Sequence, residues 1–113
     1  MIEGWITQLR KGLLEYCVLL VLRRGESYGY EIVQALKSVE DLSVSESTVY
    51  PILARLRDEQ ILKARDVPSD AGPPRRYFSL TPRGKIRLAE MNAYWPALLT
   101  SIDQLKSPKT KDT

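Results

Sequence analysis

The stretch SESTVYPILARLRDEQIL, residues 45–62, reads as an amphipathic helix, yet it carries a proline, Pro51, two turns in. Val49, Ile52, Leu53 and Leu56 fall at i, i+3, i+4 and i+7, one apolar stripe. At about 100° per residue, Ser47, Pro51, Ala54 and Asp58 then lie on the opposite face, with Tyr50 and Arg55 on its flanks. Ser45 suits the N-cap, and Glu46 complements the positive end of the helix dipole. An interior proline removes a backbone hydrogen bond and crowds the preceding turn, costing roughly 3 kcal/mol or more. Here it points outward among small neighbours. A helix that enters a major groove, about 12 Å wide, needs such a slim front with polar and cationic shoulders. Ser47 and Thr48 could reach base edges or phosphates, the helix N-terminus favours a phosphate, and Tyr50 and Arg55 would clamp the two backbones. An ordinary surface helix with a small outer face fits the same residues, so the flanking sequence has to decide.

Downstream, ILKARDV (61–67) and RRYFSL (75–80) favour strand, and PSDAGPP between them, with three prolines and a glycine, is loop. Phe78 and Leu80 share one face of the second strand; Arg75, Tyr77 and Ser79 share the other. Lys63, Arg65, Arg75 and Arg76 place four cations on this hairpin, which fits a wing lying along a phosphate backbone, although Asp66 and Asp70 partly oppose them. Upstream, Leu9, Leu13, Leu14, Cys17, Val18, Leu20 and Val21 keep helical spacing until Arg23-Arg24-Gly25 closes the helix. Ser27 is the expected N-cap of a short second helix, YGYEIVQALK, with Ile32, Val33 and Leu36 as its stripe. Three helices and a hairpin form a winged helix-turn-helix.

Thr81-Pro82 starts another helix, a capping hydroxyl followed by proline at the first helical position. Over 82–105 its apolar residues Leu88, Met91, Trp95, Leu98, Ile102 and Leu105 step by 3, 4, 3, 4 and 3, a heptad seam. No second helix of comparable length is expected to cover that strip, so it should pair with another copy. Pro96 should kink or break this helix. The expected fold is therefore mainly α with a small β-hairpin. Its parts are an N-terminal arm (1–8), the winged helix-turn-helix (9–81), a long C-terminal dimerisation helix (82–105) and a disordered tail (106–113).

Composition narrows the function. The 113 residues suffice for one modest domain. Histidine is absent, which removes the commonest general base and zinc ligand, and no Cys/His cluster or phosphate-cradling glycine motif is present. Catalysis, a metal and a cofactor are not expected. The longest apolar run, LLEYCVLLVL, is broken by Glu15 and too short to span a bilayer. The lone Cys17 excludes an internal disulfide, fits a reducing cytoplasm and should be buried and inert. The net charge of +3 is unevenly spread: residues 45–87 hold nine basic and five acidic side chains, whereas 1–44 hold five and six. The positive excess falls on the proline-bearing helix and the hairpin, where a polyanion would dock.

Four blocks together resemble the PadR-like family of winged helix-turn-helix transcriptional regulators: RKGLLEYCVLLVL, SYGYEIVQAL, SESTVYPILARLRDEQIL and PPRRYFSLTPRGK. Within the third, Thr48, Tyr50 and Pro51 match residues that recur in the family's recognition helix. The resemblance covers residues 9 to about 105 and is similar to the short, single-domain subfamily. It implies a homodimer built through the last helix, often helped by the first. It also implies binding to palindromic double-stranded DNA operators, usually as a repressor, and in many members release by a small hydrophobic or aromatic effector. Trp95 matches a tryptophan that lines a pocket at the dimer interface in some multidrug-responsive relatives, although a plain place in the interface core suits it better. The expected DNA contacts are Ser47, Thr48, Tyr50, Pro51, Arg55, Lys63, Arg75 and Arg76. A winged-helix module that docks a protein instead of DNA is the alternative; cations concentrated on the third helix and the wing favour DNA.

Overall fold

The computed structural model describes residues 2–42 and 44–107. Helix α1 (Ile2–Leu22) is followed by a two-residue strand β1 (Ser27–Tyr28) and helix α2 (Gly29–Lys37). A 3-10 turn (Glu40–Leu42) leads to helix α3 (Glu46–Asp58), then to strands β2 (Leu62–Val67) and β3 (Arg75–Leu80), and finally to helix α4 (Pro82–Lys106). The chain is thus mainly helical with a small antiparallel sheet, ordered β1-β3-β2.

The core gathers Leu14, Val18, Leu19 and Leu22 of α1, Ile32, Val33 and Leu36 of α2, Val49, Leu53 and Leu56 of α3, and Leu62 and Phe78 of the sheet. These are the stripes that periodicity marks. The hairpin pairs Leu62 with Leu80, Ala64 with Phe78 and Asp66 with Arg76, so alternate residues of β2 and β3 face the helices. Lys63, Ser79, Arg65 and Tyr77 line the opposite face.

Several expectations change. Ser27 does not cap α2: it pairs with Phe78 as a ladder residue, and Tyr28 becomes the N-cap, its N–H donating to Glu31 at 3.1 Å. The first helix starts at Ile2, so residues 2–8, expected as an arm, form its first turns. Their apolar residues are unburied, with Trp5 63% exposed, which is why no core stripe marked them. Pro96 neither ends nor divides α4. The missing N–H would have met the Asn92 carbonyl, but Asn92, Ala93 and Pro96 are all exposed, where such an oxygen is accessible to hydration. Cys17 is only half-buried, packed against the core. Lys106, the first residue of the expected tail, ends α4; residues 108–113 lie outside the described residues.

Two junctions fix α3 against the hairpin and α4. The C-terminus of α3 closes with a Schellman pair, Ile61 N–H to the Leu56 carbonyl and Gln60 N–H to that of Arg57, both 2.9 Å, with Gln60 left-handed at φ 64°. Thr81 then caps α4 by accepting the Gly84 N–H at 2.9 Å, while its own O–H donates to the Gln60 carbonyl at 2.7 Å. Gly84 sits so close to this turn that a Cβ there would overlap the Ile61 carbonyl oxygen. The radius of gyration, 17.3 Å, exceeds the roughly 13 Å of a compact chain this long, because α4 and the start of α1 extend past the core.

Candidate nucleic-acid interface

Helix α3 turns Val49, Leu53 and Leu56 inward, all fully buried, and leaves Ser47, Thr48 and Pro51 exposed. Ser45 caps it with extended backbone, its carbonyl accepting the Thr48 and Val49 N–H groups at 3.1 Å. Its hydroxyl contacts those of Ser47 (2.9 Å) and Thr48 (3.2 Å) instead of a backbone N–H. Three hydroxyls thus cluster beside the free N–H groups of the first turn, a surface that can both donate and accept. Pro51 has no N–H for the Ser47 carbonyl, which leaves that acceptor without its helical partner on an exposed turn. The helix stays unbroken from Glu46 to Asp58.

A cleft opens between α3, the start of α2 and the wing, with a volume of about 320 Å³. The Tyr50 ring lies directly on Gly29: a Cβ at that glycine would stand 2.6 Å from Tyr50 Cε1. The Tyr-Gly-Tyr order therefore has a steric reason, since only glycine lets the ring settle there. Tyr28 stacks with Tyr30 (centroids 6.4 Å apart) and tilts against Tyr77 (5.4 Å). The Arg75 guanidinium sits 4.8 Å above the Tyr28 ring, a cation–π contact that orients it beside the cleft. Burial, then the nearby Glu46, Tyr28 and Tyr30, push the Tyr50 phenol up from its ordinary value, so it keeps its proton and can donate to a phosphate oxygen. Tyr28, Tyr30 and Arg57 also line this cleft and are absent from the contacts expected from sequence. The two tyrosines flanking Gly29 were the available signal.

The cations separate into distinct groups. Arg75 and Arg76 border the cleft with Tyr50. Arg76 is paired with Asp66 (2.8 and 3.2 Å), and Arg65 with Glu26 (2.6 and 2.7 Å). The arginine hydrogen bonds hold both carboxyls below their usual range. Among the described residues no carboxylate lies within ion-pair distance of Arg75. Arg55, on the flank of α3, is turned back to Glu15 of α1 at 3.0 Å and to Glu59 at 3.2 Å. Lys63 lies apart from the cleft, on the outer face of the sheet, where it lines another cavity with Arg23 and Lys85.

Helices α1 and α4 enclose an apolar groove of about 700 Å³, lined by Leu9, Leu13, Tyr16, Met91, Tyr94, Trp95 and Leu98 among others. Tyr16 spans the two helices, its O–H donating to Asn92 Oδ1 at 2.6 Å. Leu88, at 5% exposure, belongs to the chain's own core. Met91, Trp95 and Leu98 are half-buried, and Ile102 (42%) and Leu105 (86%) are exposed beyond the body. Among the described residues no His, Cys, Asp and Glu group could hold a metal ion, and no helix is long and apolar enough to cross a membrane.

A helix with a slim polar front, braced from behind by two others and flanked by a hairpin, defines a winged helix-turn-helix protein. The transcriptional regulator PadR-like family matches residues 18–90 of the sequence, and the chain belongs to that family of transcriptional regulators. A solved PadR-like transcription factor from Bacteroides fragilis is 40% identical, with a TM-score of 0.77 over 88% of this chain and 95% of that one. The negative transcriptional regulator PadR of Bacillus subtilis is 34% identical over 67% of this chain and 43% of its own length. The structure of that PadR in complex with operator DNA superposes with a TM-score of 0.63 at 32% identity, over 70% of this chain and 46% of that one.

Proposed function

We propose that the chain is a homodimeric repressor that binds a palindromic double-stranded DNA operator, placing one α3 in the major groove of each half-site. The observation that carries this reading is the exposed Ser47–Thr48–Pro51 front of α3, joined to a cleft of phenols and guanidinium groups. The operator complex of the related Bacillus subtilis PadR supports the same use of the fold. Ser47 and Thr48 read base edges, and Pro51 keeps the front low enough for close approach. Tyr50 and Arg75 hold a phosphate at the mouth of the cleft, with Tyr30 and Arg57 beside them and Arg76 contributing once it leaves Asp66. Lys63 faces away and takes no part.

The partner copy covers the strip on α4 formed by Trp95, Leu98, Ile102 and Leu105, together with the exposed start of α1. The groove carrying Trp95 suits a small planar apolar effector that would release the DNA. Selection of bound duplexes from a random pool tests the reading. The expected result is an inverted repeat with half-sites about 34 Å apart or a multiple of that; no enriched sequence would overturn it. Leu98→Asp should sediment as a monomer and lose tight operator binding, and a stable dimer would refute the α4 interface.

A further inference from the structure

One carboxylate joins three helices. Glu15 of α1, 17% exposed, accepts Arg55 Nη2 of α3 on Oε1 at 3.0 Å and Arg87 Nη1 of α4 on Oε2 at 2.7 Å. Each oxygen thus serves a different arginine. Arg55 is otherwise well placed for DNA: it flanks the outer face of α3 and is 48% exposed. Its hydrogen bonds to Glu15 and then Glu59 raise its pKa, so its charge is firmly matched within the protein. Arg87 also lines the groove that holds Met91 and Trp95, so the same carboxylate is shared between that groove and the recognition helix.

We infer that Glu15 is a positioning residue for DNA recognition: its two-arginine clamp sets the register of α3 against α4 and withholds Arg55 from phosphate. This rests on the DNA-binding function proposed for α3. A cation already neutralised by an internal carboxylate releases no counterion when a duplex arrives, because no phosphate is newly matched. Phosphate contact is therefore left to the tyrosine-lined cleft on the other side of α3. A movement of α4 relative to α1 pulls on Glu15 and is felt at Arg55.

The salt dependence of operator binding tests this, because a purely structural tie would leave it unmoved. Arg55→Ala alone should leave the slope of log K against log salt at the wild-type value. Glu15→Gln, nearly isosteric but neutral, leaves Arg55 only its exposed pair with Glu59 at 3.2 Å, so the slope should steepen by up to about 0.9, one additional phosphate, and binding should tighten at low salt. The double variant Glu15→Gln/Arg55→Ala should return to the wild-type slope, which separates release of Arg55 from the general effect of deleting a negative charge. A fall of about 0.9 in Arg55→Ala alone would show Arg55 on a phosphate already and overturn the inference. So would a Glu15→Gln protein that unfolds at the wild-type temperature and binds with an unchanged slope. If Glu15→Gln does not fold, Arg55→Ala still decides. A slope that falls in Arg75→Ala while Glu15→Gln is inert overturns this inference only; a wild-type protein that binds no duplex overturns both.

Discussion

Replacing Gly29 with alanine probes how α2 sets the recognition helix. The added Cβ would stand 2.6 Å from Tyr50 Cε1 and 3.4 Å from Cζ and Oη, whereas carbon atoms rest about 3.5–4.0 Å apart. The ring must retreat by roughly 1 Å, into the cleft that Arg57 and Arg75 border. Overpacking of this kind costs about 1–3 kcal/mol, and the less flexible unfolded chain returns about 0.4–1 kcal/mol. Stability should therefore fall by no more than about 2.5 kcal/mol. Binding should suffer separately, because a phenol displaced from a phosphate forfeits a hydrogen bond to a charged group worth about 1.5–3 kcal/mol, tenfold or more in affinity. Fluorescence anisotropy with the selected operator and urea unfolding at one protein concentration measure the two effects. Tyr50→Phe should weaken binding comparably, and combining it with Gly29→Ala should add little further, because both act on one hydroxyl. Undiminished affinity in Gly29→Ala, or fully additive losses in the double variant, would refute the placement of Tyr50.

Gly84→Ala should be the more damaging glycine substitution, because the obstacle is the Ile61 backbone carbonyl, which cannot swing aside. Separating α4 from β2 also loosens the Thr81 cap, so a loss of about 2–4 kcal/mol is expected, read as a large drop in urea midpoint. On the wing, Arg75→Ala should flatten the salt slope by about 0.9, whereas Arg76→Ala should do less because Asp66 already engages that guanidinium. Equal effects would mean that the Asp66 pair does not persist on DNA. With no histidine and with the Tyr50 proton held more tightly than usual, operator affinity should stay level from about pH 6 to 9. The depressed carboxyls of Glu26 and Asp66 support the wing above their unfolded pKa values and lose that contribution as pH falls through the folded ones. Heteronuclear NMR of the arginine side chains should therefore show the wing pairs opening only in acid, and opening near neutrality would contradict the sign.

The sequence discloses what neighbours along the chain decide. The α3 stripe, the Ser45 and Thr81 caps and the loop between β2 and β3 are local patterns, and each appears where expected. Strand β1 is two residues long and exists only because β3 lies beside it, so Ser27 looks like a cap in the sequence. The fate of Arg55 is equally hidden: its partner Glu15 is 40 residues away on another helix. Lys63 and Arg65 count as wing cations in the sequence, which does not reveal that Arg65 is paired with Glu26 and that Lys63 lines a cavity apart from the tyrosine cleft. Leu88 fits the heptad seam by spacing, yet the body of the chain buries it. Pro96 reads as a kink or a break, and the helix runs through it unbroken because the turn around Asn92 is exposed, which the sequence does not reveal. The slim face of α3 is legible from periodicity alone; the tyrosine cleft beside it needs three elements to meet.

The most direct test of base reading by α3 is a binding profile over every single-base-pair variant of the selected operator, for the wild type and for Thr48→Val. If α3 reads bases, Thr48→Val loses about 1–3 kcal/mol of discrimination at one base pair, at the symmetric position in both half-sites, and keeps its salt slope. A Thr48→Val profile superimposable on the wild type, or a uniform loss across all sequences, would contradict that reading.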